Sequence, residues 1–200
     1  MTDVFPTLRT ARLTLRGFRP EDEAAFQRFA VKEEFWKFLP GPALTPELVT
    51  RFVAARVADA ENPTGRDWLF CVEEKSMARA IGMVRLSIAA GEHRQGNIGF
   101  SFDGTIRGKG YASEAMQAAL RFGFAEIGLH RITALADVEN DRSHAVLKKL
   151  GFRQEGRLQQ NFLVRGRWRD SDLFALLRSE WPPQEQHPSH HAGDGDTALA

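Results

Sequence analysis

Residues Arg107-Gly108-Lys109-Gly110-Tyr111-Ala112 place two glycines and two cations in one turn, directly ahead of an amphipathic run from Ser113 to Ile127. A helix start carries about half a positive charge and four backbone N–H groups without intrahelical partners. Glycine lets the backbone approach a ligand closely, so this turn suits phosphate oxygens and points to a diphosphate-bearing cofactor. Two familiar phosphate motifs fail on their residues. A P-loop requires four residues between its first glycine and Gly-Lys, then Ser or Thr. Here only Thr105, Ile106 and Arg107 separate Gly104 from Gly108-Lys109, and Gly110 stands where the hydroxyl is required. A dinucleotide fingerprint requires a third glycine, where Ser113 stands. A plain glycine turn joining strand to helix is the other reading of the loop alone.

The flanking elements place the turn. Ile98-Gly99-Phe100-Ser101-Phe102 has the aromatic and branched residues of a strand. Ala112, Ala115, Met116, Ala119, Leu120 and Gly123 recur at helical spacing, with Glu114, Gln117 and Arg121 on another face, and Gly128 stops the helix. Arg131 to Val138 reads as a strand, Asn140 or Asp141 as the cap of a helix carrying Leu147 and Leu150, and Gly151 as its end. Phe152 opens the next extended segment. Earlier, Arg12 to Arg16 alternates polar and apolar side chains as a first strand. Pro20 and the acidic Glu21, Asp22 and Glu23 suit a helix start, followed by the apolar Ala25, Phe26 and Phe29. Pro40-Gly41-Pro42 breaks the chain, and Thr45-Pro46 opens a helix reaching about Asp59. Arg66–Val72 and Ile81–Leu86 read as a strand pair, and Arg157–Val164 and Leu173–Leu177 as the strands that finish the sheet.

In this order of strand, phosphate turn, helix, strand, helix and strand, the chain resembles the GNAT superfamily of acyl-CoA-dependent N-acetyltransferases. Arg107-x-x-Gly110-x-Ala112 matches that family's signature of Arg or Gln, two residues, Gly, one residue, then Gly or Ala. Asn140-Asp141-Arg142-Ser143, Lys149-Leu150-Gly151-Phe152, Thr10-Ala11-Arg12-Leu13-Thr14-Leu15-Arg16, Pro20-Glu21-Asp22 and Gly166-Arg167-Trp168-Arg169-Asp170 extend the likeness across residues 8–178, toward the Rim-type ribosomal-protein N-terminal acetyltransferases. The resemblance implies an α/β, mixed fold: a twisted, mostly antiparallel sheet with helices on both faces. Its strand at Ile98–Phe102 splays from the next one, and acyl-CoA enters the gap. It further implies acetyl-CoA as cosubstrate without a metal, with backbone groups of Phe100, Ser101 and Phe102 meeting the pantetheine amides. Arg107, Gly108, Lys109, Gly110, Tyr111 and Ala112 then hold the diphosphate.

Acetyl transfer to an amine requires a neutral amine, a polarised thioester carbonyl and a proton for the departing thiolate. Many relatives carry a glutamate at the position of Asn97, which cannot take a proton but can orient water or substrate. Many also carry a tyrosine seven residues after the asparagine, where this chain has Leu147. The Rim-type branch has a serine three residues after it, here Ser143. Ser143 is therefore the expected hydroxyl at the sulfur and Asn140 the expected pantetheine ligand; helix capping is the other role open to both. His144 should face another side of that helix. Glu92 and His93 are loop residues that could act as bases. Phe35, Trp36 and Phe38 could line the acceptor pocket or pack in the core.

Two hundred residues, 42% of them hydrophobic, suit one domain over residues 1–181. Pro182 to Ala200, rich in Pro, Gly, His and Ser, reads as a disordered tail, in which His187, His190 and His191 lack a scaffold for a metal. A net charge of +1 argues against a broad nucleic-acid face. No apolar run approaches the ~20 residues of a membrane span, and the N-terminus has no signal-peptide pattern. The single Cys71 excludes an intrachain disulfide and reads as a packed thiol in a reducing, cytoplasmic setting. The expected activity is N-acetylation of a primary amine, most readily a protein or peptide N-terminus, by a monomer or homodimer. A polyamine or aminoglycoside acceptor, and a non-catalytic acyl-CoA-binding domain, are the alternatives.

Overall fold

The computed structural model describes residues 4–41, 44–89 and 93–181. The tail beyond 181 and Glu92 lie outside the described residues. Eight strands form one sheet: β1 (Leu8–Arg9), β2 (Leu13–Arg16), β3 (Asp67–Glu74), β4 (Arg79–Ile88), β5 (Gln95–Phe102), β6 (Arg131–Asp137), β7 (Arg153–Val164) and β8 (Arg167–Leu177). Their order is β1-β2-β3-β4-β5-β6-β8-β7. Every neighbouring pair is antiparallel except β5 with β6. That parallel pairing runs only through Gln95, Gly96 and Asn97, opposite Arg131, Ile132 and Thr133. Beyond it β5 pairs with β4 alone and β6 with β8 alone, so the expected splay is present.

One apolar cluster joins the sheet to α4 (Tyr111–Arg121) and α5 (Asp141–Lys149), through Phe70, Val84, Leu86, Ile98, Ile132 and Phe174 against Met116, Leu120 and Leu147. A second cluster covers Cys71 and Met83 with Phe18 and with α1 (Glu23–Phe29), α2 (Glu33–Trp36) and α3 (Pro46–Glu61). Its rings meet edge-on or tilted, as Phe26 against Phe29 at 4.8 Å and Phe35 against Trp36 at 4.9 Å, the geometry that aromatic quadrupoles favour.

Several boundaries differ from the sequence expectation because pairing extends strands beyond their apolar stretches. β5 begins at Gln95, β7 at Arg153 and β8 at Arg167, all polar residues whose backbone completes a ladder. Helix α4 starts at Tyr111 and closes in a wider turn, Phe122–Glu126, where Ile127 N donates to Phe122 O at 3.0 Å. β2 was expected to alternate polar and apolar, yet Leu13, Thr14, Leu15 and Arg16 are all buried.

Arg16 is buried because it is paired. Its guanidinium bonds Asp22 in bidentate fashion, at 2.8 Å on both arms, and reaches Glu73 Oε2 at 2.6 Å. Asp22 thus serves as the counter-ion of β2 rather than as a solvated helix-start acid. Burial opposes ionisation of Asp22, but Arg16 and the Arg19 amide outweigh it and hold the carboxyl below its ordinary range. Cys71 lies in this layer, fully buried, and burial pushes its thiol well above the ordinary value, which suits a packed group and not a nucleophile.

Removing one partner of a buried pair costs about 3–5 kcal/mol when the other charge is left unanswered, and here Glu73 still answers Arg16, so the lower figure applies. Asp22→Ala should therefore lower the melting temperature by roughly 6–12 °C for a domain of this size. Because the folded-state acidity of Asp22 is strengthened, its contribution is present above the unfolded pKa and lost as pH falls. Thermal melts should show the wild-type advantage constant from pH 5 to 8 and shrinking below about pH 4.

Candidate active site

The gap between β5 and β6 opens into a cleft of about 510 Å³, with Phe100, Ser101 and Phe102 on one side and Asn140, Ser143 and Val146 of the α5 region on the other. At its end lie Arg107, Gly108, Gly110, Tyr111 and Ala112. Gly108 and Gly110 both adopt left-handed backbone with φ +76°, which a side chain would strain. A Cβ on Gly108 would meet nothing within 4 Å, so that surface is open to a ligand. Gly110 caps α4, whose first intrahelical bond is Glu114 N to Gly110 O at 3.1 Å. The amides of Tyr111, Ala112 and Ser113 precede that bond and are free to meet an anion.

The turn is braced from the far end of the sheet. Glu114, in the first turn of α4, accepts from Thr10 Oγ1 at 2.6 Å, Arg12 N at 2.9 Å and Arg12 Nε at 2.7 Å. Burial works against ionisation of Glu114, but these donors prevail and keep it below its ordinary range. The same Arg12 donates to Lys109 O at 2.8 Å and lies 4.6 Å over the Tyr111 ring. Neither Arg12 nor Glu114 was identified from sequence as part of the site, because the bond spans more than a hundred positions. The likeness of Thr10–Arg16 to the family was the one signal available.

Asn140 caps α5, its Oδ1 accepting from Ser143 N at 3.2 Å, so the capping role belongs to Asn140, with Ser143 giving only its backbone amide, and both residues line the cleft. Of the residues expected from sequence, the cleft does not include Lys109 and Asn97. Lys109 contributes its carbonyl to Arg12. Asn97 Nδ2 donates to Thr133 Oγ1 at 3.2 Å, at the last rung before the splay. Phe35 and Phe38 line the cleft, whereas Trp36 turns into the helical cluster and donates its indole N–H to Ala30 O. His144 stands on the other side of α5, 3.7 Å from Asp172 Oδ2 and 5.3 Å from the Phe174 ring. Leu147 is core.

Sequence reading missed Glu34, Asp103 and Ile106 in the cleft wall. A second, polar cavity of about 590 Å³ adjoins it, with Glu33, Glu34, Glu139 and Asp141 facing Lys37, Arg107 and Arg142. Three of those carboxylates are paired: Glu33 with Arg165, Glu34 with Arg107, and Glu139 with Arg169. Among the described residues no group of three His, Cys, Asp or Glu is arranged to hold a metal, and no helix is long and apolar enough to cross a membrane.

The model of the acetyltransferase (GNAT) domain family matches residues 12–153. The "uncharacterized N-acetyltransferase YnaD" of Bacillus subtilis is 33% identical over 174 residues, covering 87% of this chain and 98% of that protein. The [ribosomal protein uS5]-alanine N-acetyltransferase of Escherichia coli is 35% identical over 116 residues, 58% of each chain. Spermidine N(1)-acetyltransferase of Escherichia coli is 28% identical over 118 residues, 59% of this chain and 60% of that one. Among solved structures, Mycobacterium smegmatis RimJ in complex with CoA-disulfide superposes with a TM-score of 0.76 at 29% identity, covering 90% of this chain and 89% of that one.

A branched side chain at Gly110 costs about 1–3 kcal/mol in left-handed backbone and fills the approach to the turn. Gly110→Val should lose the rise in melting temperature that millimolar CoA produces. Gly166→Val, at the same φ of +76° but in the β7–β8 turn, should lose stability and keep that rise.

Proposed function

The chain belongs to the GNAT acetyltransferase family, and on that premise we propose that it acetylates protein or peptide α-amines, with the 107–112 turn holding the CoA diphosphate. The activity class is N-acetyl transfer, and enzymes of this family use acetyl-CoA. One observation carries the placing of the diphosphate: a left-handed glycine turn at a helix start closes one end of an apolar cleft between two splayed strands. The residues fit the group. Gly108 leaves an open surface, Arg107 supplies a cation, and the free edge of β5 from Ile98 to Phe102 offers backbone partners to an extended amide chain.

When bound, acetyl-CoA supplies an activated acyl carbon and a thiolate leaving group. Backbone groups of Phe100–Phe102 and the side chain of Asn140 orient the arm, and Phe35 and Phe38 exclude water from the apolar end. Ser143 Oγ–H gives its proton to the departing sulfur and is reprotonated from the proton that the acceptor nitrogen releases. Asn97 stands on the last paired rung, bonded to Thr133 and outside the cleft, and no carboxylate on β5 takes the acceptor's proton.

The acceptor class follows from charge. A polycation is favoured by a strongly acidic pocket, yet three of the four carboxylates in the polar cavity are paired with arginines and share it with Lys37 and Arg142. That supports a singly charged acceptor over a polyamine, and it makes spermidine acetylation the second reading.

Ser143→Ala should lower kcat by about a hundredfold or more, the usual contribution of a positioned acid, with CoA affinity unchanged. Loss of affinity with kcat preserved would reduce Ser143 to a cap. With no base on β5, the acceptor must arrive neutral. At pH 7 an α-amine of pKa near 8 presents more than a hundredfold more neutral nucleophile than a lysine near 10.4. A panel of peptides should show α-amine acetylation favoured, with kcat/KM rising with pH as the acceptor's own ammonium titrates. A lysine-only or spermidine-only profile would overturn the acceptor assignment.

A further inference from the structure

Glu34, Phe38, Arg107, Asn140 and Arg142 line both the apolar cleft and the polar cavity, and among them the side chains of Glu34 and Arg107 join as an ion pair. The partners come from independent elements, Glu34 from α2 and Arg107 from the glycine turn. The pair sits directly over Gly104, where a Cβ would lie 2.8 Å from Glu34 Oε2 and 3.0 Å from Arg107 Nη2. A residue without a side chain is therefore what lets the two groups meet there. Helix α2 does not depend on this pair for its place. Ser101 Oγ donates to Phe35 O at 3.3 Å, and Arg165 Nη1 reaches Glu33 Oε1 at 2.7 Å.

We propose that Glu34 is a built-in competitor for the cofactor diphosphate at Arg107, so that the pair is a latch opened by a ligand carrying a phosphate group. The proposal rests on the reading of the 107–112 turn as the diphosphate site. A guanidinium presents a planar fork that takes a carboxylate or a phosphate in the same bidentate manner, so the two anions exclude each other on one arginine. A diphosphate brings more charge and also meets the open amides at the start of α4, and it displaces the carboxylate. A neutral thioester arm has nothing to exchange for Arg107 and leaves the latch shut. Glu34 thereby lowers the apparent affinity for every anionic ligand by the fraction of molecules in which the pair is closed. The side chains are 51% and 40% exposed, and pairs so exposed are worth only a fraction of a tenfold change, so the expected effect is about 2- to 5-fold.

The test is calorimetric titration of CoA, without acceptor, into the wild-type protein, Glu34→Gln, Arg107→Gln and the Glu34→Gln/Arg107→Gln double variant at one salt concentration. Glu34→Gln should tighten CoA about 2- to 5-fold. Arg107→Gln should weaken CoA, and adding Glu34→Gln to it should change nothing further, because Glu34 acts only through Arg107. A Glu34→Gln variant that binds CoA as the wild type does, or more weakly, overturns the latch. Equal tightening in the Arg107→Gln background also overturns it, since that is general charge repulsion. Failure of Arg107→Gln to weaken CoA overturns the diphosphate reading itself, which separates the two failures.

Discussion

The three-rung parallel pairing of β5 with β6 is the constraint on which the rest of this molecule depends. Those strands are held together at one end only, because each continues with a different partner. β5 is committed to β4 through Phe102, and β6 to β8 through Asp137. Neither can follow the other without breaking a long antiparallel ladder, so they diverge and leave one unpaired edge on β5. A parallel connection requires a crossover, and here the crossover is α4. Its start is thereby carried to the open end of the gap. Cleft, free strand edge and helix start are thus one consequence of where the pairing stops.

Charge is used to lock the pieces around that gap, and burial decides where it can be used. Arg16, Asp22 and Glu73 form a closed set, each charge answered within 3 Å, in a layer where an unanswered charge would be prohibitive. Arg12 and Glu114 do the same at the other end of β2, where they fix the glycine turn to the sheet. Arg16 at the end of β2 and Arg12 just before its start therefore hold the α1 region and the α4 start respectively. The β7–β8 hairpin adds a third fastening: Arg169 bonds Asp137 and stands 5.9 Å over the Phe38 ring, while Arg165 reaches Glu33.

Function in this arrangement divides by polarity. The apolar part of the cleft, walled by Phe35, Phe38, Phe100 and Phe102, suits a thioester arm and keeps water from it. The polar cavity beside it mixes both signs and leaves little uncompensated charge. Ser143 and Asn140 stand at the start of α5 with a structural bond between them. That bond runs from the Ser143 backbone amide, so the two residues proposed for the site are tied together by the cap that starts their helix.

Much of the local structure was legible because it rests on near neighbours in the chain. Gly108 and Gly110 announced a turn that a ligand can approach closely, Asn140 or Asp141 a cap, and the apolar spacing after Ala112 announced α4, since turn chemistry and helical period act over a few residues. The family signature added the order of strands. Tertiary structure alone decided the rest. That Asp22 answers Arg16, that Glu114 braces a turn through Arg12, and that Glu34 lies on Arg107 depend on segments tens of positions apart meeting across the sheet. Asn97 shows the limit most plainly. Its identity fixed that no carboxylate stands at that position, but only the register of β5 against β6 put it on the last paired rung, bonded to Thr133 and outside the cleft. A residue's chemistry is written in its type, whereas the neighbour that engages it is set by which strands pair and where they part.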